Sequence, residues 1–127
     1  TMTAPLPRIL LVEPQFVLRR TIAMVARDLG VVDFREASDV ARARMLLAAE
    51  SFDGLVLDLA QGPQAMALLV DLRQGQFATA PDVPVIVLVA DAALAETASL
   101  QALGVDVVLG KPVRISGLIH AIVKSRQ

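Results

Sequence analysis

The sequence predicts an α/β fold in which helices cover both faces of a five-stranded parallel sheet. Five short apolar runs lack the polar alternation of half-exposed strands, which is typical of parallel strands buried on both faces. The segments between these runs carry apolar residues at helical spacing, and the connections are short. Strands that alternate with helices in this way form successive βα units, and hence a doubly wound sheet.

The first half of the chain contains three of the predicted strands and two helices. Strands are predicted over residues 8–12, 31–35 and 54–58, and helices over residues 15–29 and 39–50. Gly30 stands in the position favoured just after a helix end, and Ser38 is predicted to cap the second helix. The third strand ends in Asp58, whose charge marks the carboxyl end of an otherwise apolar run.

The second half of the chain continues the alternation. Helices are predicted over residues 63–73, 92–103 and 113–124, and strands over residues 85–89 and 106–109. Pro63 is expected to start the third helix, because proline is favoured at the first helical position. Asp91 is predicted to cap the fourth helix and Gly104 to end it.

Length and composition indicate a single domain. The chain has 127 residues, of which we assign 8–127 to the domain and 1–7 to a disordered or vector-derived leader.

No apolar run reaches the roughly 18 to 20 residues that cross a bilayer, so membrane insertion is not expected. Cysteine is absent, which agrees with the reducing cytoplasm where we expect the protein to act.

Charge and aromatic content argue against nucleic acid as a direct partner. The formal net charge is −1, no basic cluster tracks a phosphate backbone, and Trp and Tyr are absent.

The pairs Arg19–Arg20 and Arg42/Arg44 are interpreted as solvated helix faces, with a basic docking patch as the alternative. His120, the only histidine, has no partner at metal-ligand spacing and is predicted to be structural.

Three ionisable residues stand where strands end. Glu13 follows the first strand, Asp58 ends the third and Lys111 follows the fifth. In a sheet ordered 2-1-3-4-5 these strands lie close together, and ligand chemistry collects at their carboxyl ends. Two carboxylates and an ammonium can share a divalent cation and a phosphoryl group. The predicted chemistry is therefore phosphoryl transfer to a carboxylate.

Four segments in order resemble the response-regulator receivers of bacterial two-component signalling, which have a flavodoxin-like fold. The segments are residues 9–13, 52–59, 84–88 and 103–112. The resemblance implies that Asp58 accepts a phosphoryl group from a histidine kinase or phosphotransfer protein. It also implies that Mg²⁺ binds beside Asp58 and that Lys111 contacts the phosphate. Pro112 can favour a cis bond that directs Lys111 into the crevice.

The metal site departs from the family pattern. Pro14 stands where receivers usually carry a second acid, and proline offers no side-chain oxygen. The implied ligands are then Asp58, Glu13 through water and the backbone carbonyl of Ala60, so Mg²⁺ is expected to bind weakly or not at all.

The residues that usually transmit the phosphorylation signal also differ. The usual hydroxyl residue at the end of the fourth strand is Val89, and the usual aromatic residue of the fifth strand is Val108. The loop over residues 60–63 looks one residue shorter than usual. Any signal must therefore leave by a route other than a hydroxyl and aromatic pair.

Three hypotheses follow for the function. The first is a phosphoryl-accepting receiver, a signalling module and not an enzyme. The second is a degenerate receiver that binds proteins without being phosphorylated, and the third is a small flavodoxin-like enzyme or cofactor binder, which the short loops disfavour. Both receiver hypotheses predict that a partner protein or output domain binds the face between residues 91 and 124. A homodimer through that face remains open, since the last helix carries many apolar residues. These are Ile115, Leu118, Ile119, Ile122 and Val123.

Overall fold

The computed structural model describes residues 5–91 and 96–126, and its elements follow the predicted alternation. The strands are β1 Arg8–Val12, β2 Asp33–Ala37, β3 Gly54–Asp58, β4 Val85–Val89 and β5 Val107–Gly110. The helices are α1 Phe16–Leu29, α2 Val40–Ala49, α3 Pro63–Arg73, α4 Thr97–Ala102 and α5 Ile115–Ser125, with a 3-10 turn at Leu59–Gln61.

The strands form one parallel sheet in the order β2-β1-β3-β4-β5, which confirms the predicted fold class. Alternate residues of β1 point to opposite faces. Leu10 and Val12 pack with residues of α2 and α3, whereas Ile9 and Leu11 pack with residues of α1 and α5. The sheet therefore separates two apolar layers. Glu13 and Asp58 belong to neither layer and lie at the carboxyl ends of β1 and β3.

Two predicted boundaries at β2 and α2 are wrong by one or two residues. β2 covers Asp33–Ala37 instead of residues 31–35, because its ladder with β1 pairs Arg8 with Asp33 and Val12 with Ala37. Asp39, and not Ser38, caps α2, since its side-chain oxygen accepts a hydrogen bond from the Arg42 N–H at 2.7 Å. This is the geometry of an N-cap, in which a side chain satisfies a free helix donor.

The ends of the later elements also move slightly. β5 is Val107–Gly110 instead of 106–109, and α5 begins at Ile115 instead of 113 because Arg114 is still extended. The fourth helix, predicted over residues 92–103 with Asp91 as its cap, is Thr97–Ala102 with Glu96 at its N-cap. Residues 92–95, where it was predicted to begin, lie outside the described residues, as do residues 1–4 of the predicted leader. Gly30 and Gly104 follow helix ends with φ of 67° and 70°, as predicted.

Arg73, at the end of α3, ties two loops together at the opposite edge of the sheet. Its guanidinium donates hydrogen bonds to the carbonyls of Pro81 and Val83 before β4, at 2.8 and 2.7 Å. It also donates to the carbonyls of Leu103 and Gly104 after α4, at 2.7 and 3.2 Å. The end of α4 is thereby fixed to the start of β4.

Most of the apolar residues of α5 belong to the protein's own core. Leu118, Ile119 and Ile122 are buried, Ile115 is half-buried and Val123 is 42% exposed. The excess apolar surface predicted for this helix is therefore smaller than the sequence indicated. His120 is exposed and fills no core position. Within the described chain, no helix combines the length and apolar character needed to span a bilayer.

Candidate functional site

Asp58 ends β3 as a fully buried carboxylate. It pairs with Leu88 of β4 in the sheet, and its neighbour Leu57 pairs with Val12 of β1. One carboxylate oxygen, Oδ1, accepts a hydrogen bond from the Ala60 N–H at 2.7 Å, which caps the 3-10 turn. The Asp58 carbonyl accepts from Gln61 Nε2 at 3.0 Å. One side of the carboxylate is thus fixed by its own loop.

Glu13 follows β1 and is also fully buried. Its N–H donates to the Ala37 carbonyl at 3.1 Å, which extends the β1–β2 ladder by one residue. Its Oε2 atom accepts from the Gln15 N–H at 2.9 Å. Because Pro14 has no N–H, the donor for this carboxylate comes from the next residue.

Lys111 brings the cation to these two acids. Its N–H donates to the Val89 carbonyl at 2.8 Å, and the Lys111–Pro112 peptide is cis, which agrees with the prediction for Pro112. The ammonium lies 2.6 Å from Glu13 Oε1 and forms an ion pair and hydrogen bond with Asp58 Oδ2. The structure therefore brings together all three residues predicted to converge.

Burial and pairing shift the acidity of this cluster in a consistent way. Burial raises the pKa of Glu13 above its ordinary value, and the neighbouring Asp58 adds to the rise, although Gln15 and Lys111 oppose it. Burial alone would lower the pKa of Lys111, but its contacts with Asp58 and Glu13 outweigh burial and raise it. Lys111 is therefore charged at neutral pH and holds the two carboxylates in place.

The donor set suits a magnesium ion in chemical type but offers few ligands. Mg²⁺ prefers oxygen and is commonly held by one or two carboxylates together with water and phosphate oxygens. Glu13 and Asp58 meet that need, and Ala60 is exposed in the adjoining turn. Among the described residues no group of three His, Cys, Asp or Glu residues lies together. Lys111 already contacts both carboxylates, so a metal would compete with its ammonium.

The positions expected to hold the receiver's switch residues are apolar in the structure as well. Val89, at the end of β4, is 7% exposed and lies in the core layer of α2 and α3. Val108 of β5 is half-buried against the same layer. Neither side chain can donate a hydrogen bond toward Asp58.

The interpretation of Arg19 as part of a solvated helix face is wrong. Its side chain is only 12% exposed, and its Nη1 donates to the Glu13 carbonyl at 2.9 Å. Its Nε donates to Glu36 Oε1 at 3.1 Å. Sequence reasoning missed this contact because an arginine on α1 gives no sign of which carbonyl it reaches. Arg20, by contrast, is 44% exposed and pairs with Glu36 alone among the described residues.

Comparison with known proteins places the fold among bacterial and archaeal signalling domains. No family model matches the sequence, and no curated protein matches it. The chain is similar to the receiver domain of the Francisella response regulator 1452, with 26% identity and a TM-score of 0.80. The match covers 94% of this chain and 95% of that one.

Two further solved structures show the same likeness. A CheY-like response regulator receiver from Methanospirillum hungatei is 19% identical with a TM-score of 0.81, and the match covers 94% of this chain and 92% of that one. A sensor protein from Polaromonas is 25% identical with a TM-score of 0.80 over 94% of each chain. The predicted resemblance is thus confirmed at the level of the fold over nearly the whole chain.

Proposed function

We propose that this chain, which has the fold of a response-regulator receiver, accepts a phosphoryl group on Asp58. The observation that carries the proposal is a buried carboxylate at the carboxyl end of β3 with the Lys111 ammonium against one oxygen and Glu13 beside it. Phosphoryl transfer depends on a positioned nucleophile and on cations that stabilise the phosphoryl oxygens, and Asp58 and Lys111 can fill these two roles. The donor would be a phosphohistidine on a histidine kinase or phosphotransfer protein.

The two oxygens of Asp58 have different tasks in this reaction. Oδ1 stays bonded to the Ala60 N–H, which fixes the carboxylate plane. Oδ2 attacks phosphorus when Lys111 releases it, the phosphorus–nitrogen bond breaks, and the imidazole leaves with the electron pair and takes a proton from water. The product is an acyl phosphate, and the Lys111 ammonium then pairs with its phosphoryl oxygens.

Glu13, Asp58 and the carbonyl of Ala60 would hold Mg²⁺ in this site. The ion, when bound, neutralises the charge of the phosphoryl oxygens. Glu13 would contribute the second carboxylate. Burial raises its pKa and so disfavours its charged form, which a nearby cation would stabilise at neutral pH. Because Pro14 supplies no ligand, affinity for the metal is expected to be weaker than in receivers with two acids in this turn.

Access to Asp58 depends on Lys111. Asp58 and Glu13 have no exposed surface, whereas the Lys111 side chain is 20% exposed. A donor that approaches Oδ2 of Asp58 must therefore displace the Lys111 ammonium that contacts this oxygen. This closed arrangement should slow phosphorylation relative to an open carboxylate.

The same closed arrangement favours a second candidate function, a phosphorylation-independent protein-interaction module. Lys111 already neutralises both acids, Pro14 removes a metal ligand, and Val89 and Val108 cannot sense a phosphoryl group. In either case we expect output through contact of the face formed by α4, β5 and α5 with a partner protein, an output domain or a second copy.

Incubation with a small phosphodonor and Mg²⁺, followed by intact-mass measurement, separates the two functions. The first function predicts one added phosphoryl group in the wild type and none in Asp58→Asn, which keeps the shape of the side chain. Asp53→Asn is the matched control, because Asp53 is an exposed acid that lies just before β3. Absence of the adduct in wild type, with no Mg²⁺ binding by titration, would leave the interaction module.

A further inference from the structure

The Arg19 side chain holds the turn of residues 13–15, which carries Glu13. Its guanidinium donates to the Glu13 carbonyl at 2.9 Å, whereas its backbone N–H makes the ordinary first bond of α1, to the Gln15 carbonyl at 2.9 Å. The guanidinium also pairs with Glu36 at the end of β2, and it lies 5.4 Å from the centre of the Phe16 ring. A cation held by a carboxylate on one side and a ring on the other has little freedom to move.

The sequence of the turn gives it one hydrogen-bond donor fewer than usual, because Pro14 has no N–H. The Glu13 carboxylate in turn depends on the turn, since its Oε2 accepts from the Gln15 N–H. A shift of the Glu13 carbonyl relative to Gln15 would therefore turn the carboxylate away from Lys111.

Arg20 shows which part of this network is specific. Arg19 and Arg20 each pair with one oxygen of Glu36, so both contribute to the same ion pair. Among the described residues, Arg19 also donates to the Glu13 carbonyl, and Arg20 does not. A comparison of the two arginines thus separates support of Glu36 from support of Glu13.

We propose that Arg19 is a positioning residue that keeps the Glu13 carboxylate directed at Lys111 and Asp58. The part of this inference that concerns Mg²⁺ and phosphoryl transfer rests on the proposed function. The part that concerns the Glu13 turn does not. Since Pro14 leaves Glu13 as the only acid in the turn, no neighbouring carboxylate compensates when Glu13 moves.

The test compares Arg19→Met with Arg20→Met by amide hydrogen exchange. Loss of the Arg19 contact should weaken the bond from the Gln15 N–H to Glu13, and exchange at Gln15 should accelerate about tenfold relative to the Leu57 amide in the sheet. Arg20→Met should change the same ratio by less than about twofold. Arg19→Lys, which keeps the charge without the fork, should give an intermediate ratio and serves if Arg19→Met does not fold.

Mg²⁺ titration of the same proteins tests the link to function. Arg19→Met should bind the ion about tenfold more weakly than Arg20→Met, as is common when a residue supporting a metal ligand is lost. Equal Gln15 exchange ratios in the two variants would overturn the positioning role, whatever the metal does. A wild type that neither binds Mg²⁺ nor accepts a phosphoryl group would overturn the proposed function, while the Gln15 ratio would still decide the role of Arg19.

Discussion

The ammonium of Lys111 lies 2.6 Å from Oε1 of Glu13, a carboxylate with no surface exposed to solvent. The same ammonium pairs with Asp58, so one cation serves two buried acids. Glu13 and Asp58 would repel each other if no cation lay between them. The Lys111 ammonium offsets this repulsion, and a group that reacts with Oδ2 of Asp58 must displace it.

Lys111→Met should destabilise the fold. The substitution leaves Glu13 and Asp58 buried without a cation, and breaking a buried ion pair costs on the order of 3–5 kcal/mol. Glu13 can take up a proton because burial raises its pKa. We therefore expect a loss in the free energy of unfolding at the lower end of this range, about 3 kcal/mol at pH 7. Denaturant unfolding measures this value. Lys124→Met, on the exposed face of α5, should change stability by less than about 0.5 kcal/mol, and equal losses would contradict the account.

Glu13 should give the protein a recognisable pH dependence. Because its pKa in the folded state lies above the ordinary value of 4.5, the folded state binds this proton more tightly than the unfolded state. Its contribution to the free energy of unfolding must then increase as the pH falls through the raised pKa, and it levels off below 4.5. The free energies of unfolding of wild type and Glu13→Gln should be measured from pH 8 to pH 4. Wild type should become more stable relative to Glu13→Gln as the pH falls. A shift in the opposite direction would show that the pKa is lowered.

Thr79 has a buried hydroxyl that joins the segment before β4 to the segment before β3, at the amino ends of these two strands. It accepts a hydrogen bond from the Phe52 N–H at 3.1 Å and donates to the Glu50 carbonyl at 2.7 Å. Thr79→Val keeps the shape but leaves both backbone groups unpaired, and should cost about 2 kcal/mol in denaturant unfolding. Thr21→Val is the control, since that exposed hydroxyl bonds only within its own helix. A cost of similar size for both variants would disprove the role of Thr79.

Gly62 and Gly117 should respond to alanine with opposite signs. Gly62, between Asp58 and α3, has φ of 79° and ψ of −161°, a region almost restricted to glycine. Gly62→Ala should destabilise the protein by about 2 kcal/mol, although the space around it is free. Gly117 lies within α5, where an added Cβ would meet the Arg114 Cβ at an ordinary 3.9 Å. Gly117→Ala should therefore stabilise by about 0.5 kcal/mol, and thermal unfolding of both variants checks the contrast.

The sequence was sufficient for the sheet and for the three converging residues because both follow from short local patterns. Gly54–Asp58 is an apolar run that stops at a charge, and the order of the strands then places Glu13, Asp58 and Lys111 at one edge. The bounds of β2 were wrong because the apolar pair Val31 and Val32 precedes the strand and looks like its start. Only the pairing with β1 shows that the ladder begins at Asp33 and ends at Ala37.

The roles of Arg19, Arg73 and Thr79 could not be predicted for a different reason. Each side chain binds backbone carbonyls or N–H groups of another segment, and a backbone group has no sequence signature. The closure of Asp58 was also unpredictable, since strand ends indicate which residues meet but not how much solvent reaches them. The roles of polar side chains that bind the backbone of another segment can therefore be assigned only from the three-dimensional structure.

The most direct test of the central claim is to locate the adduct after treatment with a phosphodonor and Mg²⁺. Tryptic peptide mass spectrometry should find one phosphoryl group on the peptide spanning residues 45–73, which contains Asp58, and hydroxylamine should remove it because an acyl phosphate is labile to that nucleophile. An adduct on another peptide, or an adduct that resists hydroxylamine, would contradict phosphorylation of Asp58. So would an unmodified wild-type protein under conditions that phosphorylate an established receiver.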